Sequence, residues 1–124
     1  MISDINKEII RVLKMTDLKI IDDLSELSSK SVFLGNIYRL KDRGTKCYKK
    51  NSFFTSLFIY TGEGQKGLAY EYSENLLDLL DNNFFKNEED YTVNYEIRKE
   101  EIKKVNSDVG KFYQYEIQIQ VKVY

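Results

Sequence analysis

The residues whose spacing most resembles a chemical motif are Gly62-Glu63-Gly64-Gln65-Lys66-Gly67. They match G-x-G-x-x-G, the glycine pattern that lets a backbone approach a pyrophosphate at the start of a helix. The pattern sits between a β-prone run and a helical one, the setting a dinucleotide site needs. Three features oppose that reading. The flanking strands are expected to pair as hairpins rather than as a parallel βαβ unit, and Glu63 would place a negative charge beside the phosphates. No acidic residue ends a second parallel strand about 20 residues further on. The glycines therefore read as a flexible connection from strand to helix, with a small nucleotide-binding enzyme as the rival. A second candidate is the basic stretch with Lys41, Arg43, Lys46, Lys49 and Lys50 around Asp42 and Tyr48. A basic hairpin tip with an aromatic has the chemistry to touch phosphates or an acidic neighbour. Lysines at such a tip also keep a sheet edge soluble without touching anything.

Other chemistry is limited by what is missing. The 124 residues include no histidine, which excludes imidazole bases, Ser-His-Asp arrangements and the commonest zinc-ligand sets. Cys47 is the single cysteine, and without a histidine or a second thiol it has little to activate it as a nucleophile. Glu88, Glu89 and Asp90 are consecutive and point apart, while Glu100 and Glu101 lie beside Lys99, Lys103 and Lys104. These carboxylates read as solvated charge. The sequence thus assigns no catalytic residue, no metal ligand and no cofactor. A net charge of -1 supplies no overall field toward nucleic acid or an anionic membrane, so neither a membrane nor sequence-specific nucleic acid is expected as a partner. One cysteine fits a reducing compartment, and the charged N-terminus lacks the apolar core of a signal peptide. A cytosolic, soluble protein of one domain, residues 1–124, is expected.

The elements that must position these residues follow from periodicity. Tyr113 to Val123 alternates apolar and polar residues without a slip, which specifies a strand with one dry face (Tyr113, Tyr115, Ile117, Ile119, Val121, Val123). Ile2, Ile5, Ile9, Ile10, Val12 and Leu13 recur at helical spacing, so residues 4 to 15 read as an amphipathic helix with Ser3 as N-cap. Leu18, Ile20 and Ile21 suggest a short edge strand followed by a loop to Ser31. Val32 to Leu40 reads as the first long strand, with Gly35 marking a bulge or a close backbone approach. Asn51 to Thr61 is apolar on both faces, with Phe53, Leu57 and Ile59 on one and Phe54, Phe58 and Tyr60 on the other. Such a strand belongs in the middle of a sheet. Leu68 to Asn83 is the main helix, with Asn82 and Asn83 available as a left-handed C-cap. Tyr91 to Arg98 is a strand that a charged continuation and a turn near Asn106 to Gly110 join to the terminal strand as an antiparallel hairpin.

The order helix, meander, helix, hairpin specifies an α+β fold: a mainly antiparallel four- to five-stranded sheet with two helices packed on one face. The second face keeps an apolar strip, Phe54, Phe58 and Tyr60, along an otherwise polar surface. That strip is buried either by another subunit or by the N-terminal helix or the 22–31 loop of the same chain.

The run from Phe53 to Leu80, with its leucine-rich Ser73-Glu74-Asn75-Leu76-Leu77-Asp78-Leu79-Leu80, and the terminal Gly110-Lys111-Phe112-Tyr113-Gln114-Tyr115-Glu116-Ile117 resemble the tail terminator proteins of tailed bacteriophages. The order of elements agrees over nearly the whole chain. The absence of proline and the long basic hairpin tip depart from the family pattern. The resemblance implies a structural, non-enzymatic virion protein. Its members form a ring, typically hexameric, that caps the tail tube, stops its polymerisation and joins it to the head connector. Partners would then be further copies of the chain, the tail tube protein and the head connector protein. Location would be the host cytoplasm during assembly and then the virion tail. A head-to-tail connector or another phage structural subunit is the alternative within that class. Phe54, Phe58 and Tyr60, with the basic tip residues Lys41, Arg43, Lys46, Lys49 and Lys50, are the expected subunit or partner contacts.

Overall fold

A computed structural model of the chain describes residues 2–40, 51–85 and 93–123. Helix α1 (Ile2–Leu13) is followed by strand β1 (Lys19–Ile21), a 3₁₀ turn (Leu24–Glu26), β2 (Lys30–Leu34) and β3 (Tyr38–Leu40). Then come β4 (Asn51–Gly62), α2 (Lys66–Asn83), β5 (Val93–Ser107) and β6 (Gly110–Val123). The strands form one six-stranded sheet in the order β1-β2-β4-β6-β5, with β3 also on β4. All pairings are antiparallel except β1 with β2. The fold is the expected α+β arrangement, with six strands in place of four to five. The surplus arises because the run from Val32 to Leu40 is two strands and β1 joins the sheet.

One face of the sheet carries the core. Phe53, Leu57 and Ile59 of β4 and Ile117, Ile119 and Val121 of β6 are buried there against Ile5, Ile9, Val12 and Leu13 of α1 and Ala69, Leu76 and Leu80 of α2. Burying one such side chain is worth about 1.5–3 kcal/mol, so this layer dominates stability. The α1 residues recur at spacings of four, three and one, which places them on a single helical stripe. Helix α1 begins before Ser3 and ends earlier than its periodicity suggests. Met15 and Thr16 donate their N–H groups to Val12 and Leu13, tightening the last turn, and the Thr16 hydroxyl donates to the Leu13 carbonyl at 2.6 Å.

Helix α2 also ends differently from expectation. Asn82 and Asn83 stay helical and donate their side-chain amides to the carbonyls of Asp78 and Leu79. The left-handed residue is Phe85, at φ 52°. Its N–H donates to Glu8 Oε1 at 3.2 Å, and Arg11 Nη2 donates to the Asn83 carbonyl at 2.8 Å. The Glu8–Arg11 pair on α1 therefore pins the C-terminal end of α2, and the adjacent Phe84 is buried.

Two one-residue irregularities set which side chains face which way. Leu34 lies opposite Leu57, but Tyr38 lies opposite Phe54, so the upper strand has one extra residue across Gly35–Ile37. Gly35 is pinned to β4 there: its N–H donates to the Ser56 carbonyl at 2.8 Å, and a Cβ would come within 3.1 Å of that oxygen. A single extra residue reverses the faces of everything beyond it. The second irregularity is on β5 between Ile97 and Lys99. Among the described residues, no helix is long and apolar enough to cross a membrane.

Candidate interaction surface

The face of the sheet away from the helices holds the aromatic residues singled out in β4. Side chains alternate along the strand, so Phe54, Phe58 and Tyr60 all project to this open face. The structure divides them. Tyr60 is only 3% exposed, and its hydroxyl donates to Gln114 Oε1 at 2.9 Å. Burial pushes its pKa up, which keeps the proton on the donating oxygen. Neighbouring Ser31 and Ile21 are buried too, and the Ser31 hydroxyl donates to the Ser28 carbonyl at 3.0 Å. The 3₁₀ turn shares a shallow hollow with the β5–β6 turn, lined by Leu24, Ser25 and Asn106 to Val109. The segment after β1 thus reaches across this end of the sheet. Tyr60 is buried and hydrogen-bonded within the chain, so it is a structural residue rather than the subunit contact expected from its place in the strip.

The other end stays open. Phe54 is half-buried and stacks on Tyr38, with ring centroids 5.5 Å apart and planes 19° apart, and Tyr38 itself is 50% exposed. Phe58 is half-buried beside Phe33 at 6.2 Å. The aromatic ground on this face is therefore the exposed Tyr38 with the half-buried Phe54, Phe58 and Phe33, drawn from β3, β4 and β2. The sequence pattern places Tyr38 and Phe33 on a strand but not on this surface. Parity alone places Tyr38 with Leu34, and the extra residue after Gly35 brings it over Phe54. The one available signal is Gly35 itself.

On β6 the strip is bordered by a polar ladder. Phe54 lies opposite Gln120, Ser56 opposite Gln118 and Phe58 opposite Glu116. Glu116 lies 3.6 Å from Lys99, which is also 2.8 Å from Glu101, and Glu96 lies 3.0 Å from Lys122 and 3.3 Å from Arg98. Hydrogen bonds from Lys122 hold the Glu96 carboxyl below its usual range, and Lys99 does the same for Glu101. An aromatic strip beside a rim of amides and ion pairs has the composition of a protein contact.

The glycine motif closes on itself. Gly62 ends β4, Gly64 makes the turn at φ +80°, and Gly67 is already in the first turn of α2. The Gly62 N–H donates to Gln65 Oε1 at 2.8 Å, and the buried Thr61 hydroxyl donates to the Gln65 carbonyl at 2.9 Å. The strand before α2 pairs antiparallel with both neighbours, and the strand after it pairs with β6 rather than with β4. This is a strand-to-helix turn without the parallel wiring of a dinucleotide fold. Among the described residues, no three acidic or thiol side chains converge on a point that would suit a metal ion. Lys41, Arg43, Lys46, Lys49, Lys50 and Cys47 lie outside the described residues. No protein-family model matches the chain, and no curated protein sequence matches it.

Proposed function

We propose that the chain is a structural subunit of a phage virion, a tail terminator that closes into a ring on the tail tube and meets the head connector. The observation that carries this reading is the open aromatic ground of Tyr38, Phe54, Phe58 and Phe33 on the sheet face that neither helix covers. Apolar surface of this kind is stabilised by being taken out of water, at about 25 cal/mol per Å². In a closed ring each subunit offers such a patch to a different surface of its neighbour. The order of elements and the resemblance of the Phe53–Leu80 and Gly110–Ile117 segments to tail terminators support the same reading. They supply the ring and its hexameric size as expectations.

The test is co-assembly. Purified chain mixed with assembled tail tubes should be recovered at tube ends and should arrest tube growth. Phe58→Lys is the informative variant, because the new ammonium faces Glu116 and preserves the strand pairing while removing the ring. Loss of tube capping by a folded Phe58→Lys chain is the expected result. Recovery on a portal-type connector with none on tubes would reassign the protein to head-to-tail joining. Equal capping by both chains would remove the aromatic strip from the contact.

A further inference from the structure

We propose that β5 pairs edge to edge, antiparallel, with β5 of a second copy about a two-fold axis midway between the two Ile102 residues. Strand β5 is the last in the sheet, and among the described residues no strand lies on its outer edge. Past the irregularity at Ile97/Lys99, its ladder with β6 runs without a break from Lys99 to Ser107. A straight edge of unpaired N–H and C=O groups is a template for another strand, and proteins ordinarily guard it with charges that repel a second copy.

The charges here do the opposite. Ile102 is flanked by Glu100 and Glu101 on one side and by Lys103 and Lys104 on the other. With Ile102 facing the partner's Ile102, Glu101 faces the partner's Lys103 and Glu100 faces the partner's Lys104, and symmetry repeats both pairs. Directly opposed residues share a sheet face, so one kind of pair forms on each side of the joined sheet. Glu100 and Lys104 lie on the helix face, where Glu100 accepts from the Tyr115 hydroxyl at 3.0 Å and Lys104 sits 5.9 Å from the Tyr113 ring. Glu101 and Lys103 lie on the open face. Lys99 would meet the partner's Val105, and Arg98 the partner's Asn106, so no like charges are opposed.

The register is specific. Moving the axis to Glu101 sets Lys99 against the partner's Lys103, and moving it to Lys103 sets that lysine against its own twin. Both place like charges in contact, which destabilises a strand pair. The partner is therefore a second copy of this chain. The surface is separate from the aromatic ground, since β6 lies between β5 and β4. This pairing does not rest on the ring reading.

Sedimentation of the full chain over a concentration series tests it. The wild type should show a salt-sensitive monomer–dimer equilibrium. The double variants Glu100→Lys/Glu101→Lys and Lys103→Glu/Lys104→Glu should each raise the dissociation constant by about tenfold or more. Mixing the two should restore pairing as a heterodimer, and all four changes in one chain should restore the homodimer. In a Cys47→Ser background, Ile102→Cys should cross-link on mild oxidation, because opposed Cα atoms about 4.5–5.5 Å apart suit a disulfide. Val105→Cys, facing the partner's Lys99, should not. A monomer at every concentration without cross-linking overturns the proposal. So does a dimer that ignores the charge reversals, or an equal yield from the two cysteine variants. Phe58→Lys should leave this dimer intact, which separates its failure from failure of the strip contact.

Discussion

Strands β4 and β5 belong to one sheet and use their side chains in opposite ways. Strand β4 is central, paired with β2 and β3 on one side and β6 on the other, and it is apolar on both faces. Strand β5 is the edge. Its alternation of apolar residues lasts only to Ile97, after which Arg98 to Lys104 is charged except for Ile102. A strand that loses water on both faces gains from apolar residues on both, and an edge strand gains from charge. The difference also locates the surplus: β4 has more aromatic surface than two helices on one face cover, and that excess defines the candidate contact.

The largest expected effect tests the asymmetry between the two faces of β4. Phe53→Ala removes a fully buried ring from the core and should cost about 3–5 kcal/mol in urea denaturation. Phe58→Lys, on the open face, should cost about 1–2 kcal/mol and leave a cooperative transition. Equal losses would erase the distinction between core and contact ground.

A smaller effect is expected where α1 pins α2. The Glu8 side chain, 14% exposed, is held below the usual carboxylate range, first by its hydrogen bond with Arg11 and also by the Phe85 N–H, against the opposing effect of burial. A folded pKa below the unfolded one gives stability that is complete above the unfolded value and is lost as pH falls through the folded one. Glu8→Gln should therefore cost about 1 kcal/mol near neutral pH, with the gap to wild type closing in acid. A gap independent of pH would mean that the carboxylate's charge contributes nothing there.

The smallest effect belongs to the exposed ion pairs around β5. Glu96 sits in water at 48% exposure, so Lys122→Ala should leave the thermal midpoint of the folded chain unchanged within error. A clear drop would show that the β5–β6 ion pairs act as a network rather than as solvated charge.

Periodicity is a reliable guide wherever a segment keeps one face dry. The unbroken alternation of β6, the stripe on α1 and the two-sided apolar pattern of β4 each fix an element and most of its buried side, although Ile2 is exposed and Tyr113 only half-buried. What escapes is anything decided by a single residue. The extra residue after Gly35 reverses Tyr38 onto the open face, and the shift at Ile97/Lys99 brings Ile102 to the helix face, although the charged run suggests only a connection. The C-terminal end of α2 escapes for another reason. Asparagine is the better left-handed residue, yet the burial of Phe84 and the Glu8 contact to Phe85 carry the turn two residues further. On the open face, the alternation of β4 is sufficient to place Phe54 and Phe58. It does not reveal that Tyr60 is buried, because nothing in the alternation of β4 marks Gln114 as the acceptor of its hydroxyl.

The most direct measurement of the central claim is electron microscopy of tail tubes grown with the wild-type chain or with Phe58→Lys. The expected result is tubes of limited length that end in a ring of the wild-type chain, and uncapped, continuing tubes with the variant. Tubes that grow past the wild-type chain, or that are capped equally by a folded Phe58→Lys chain, would contradict it.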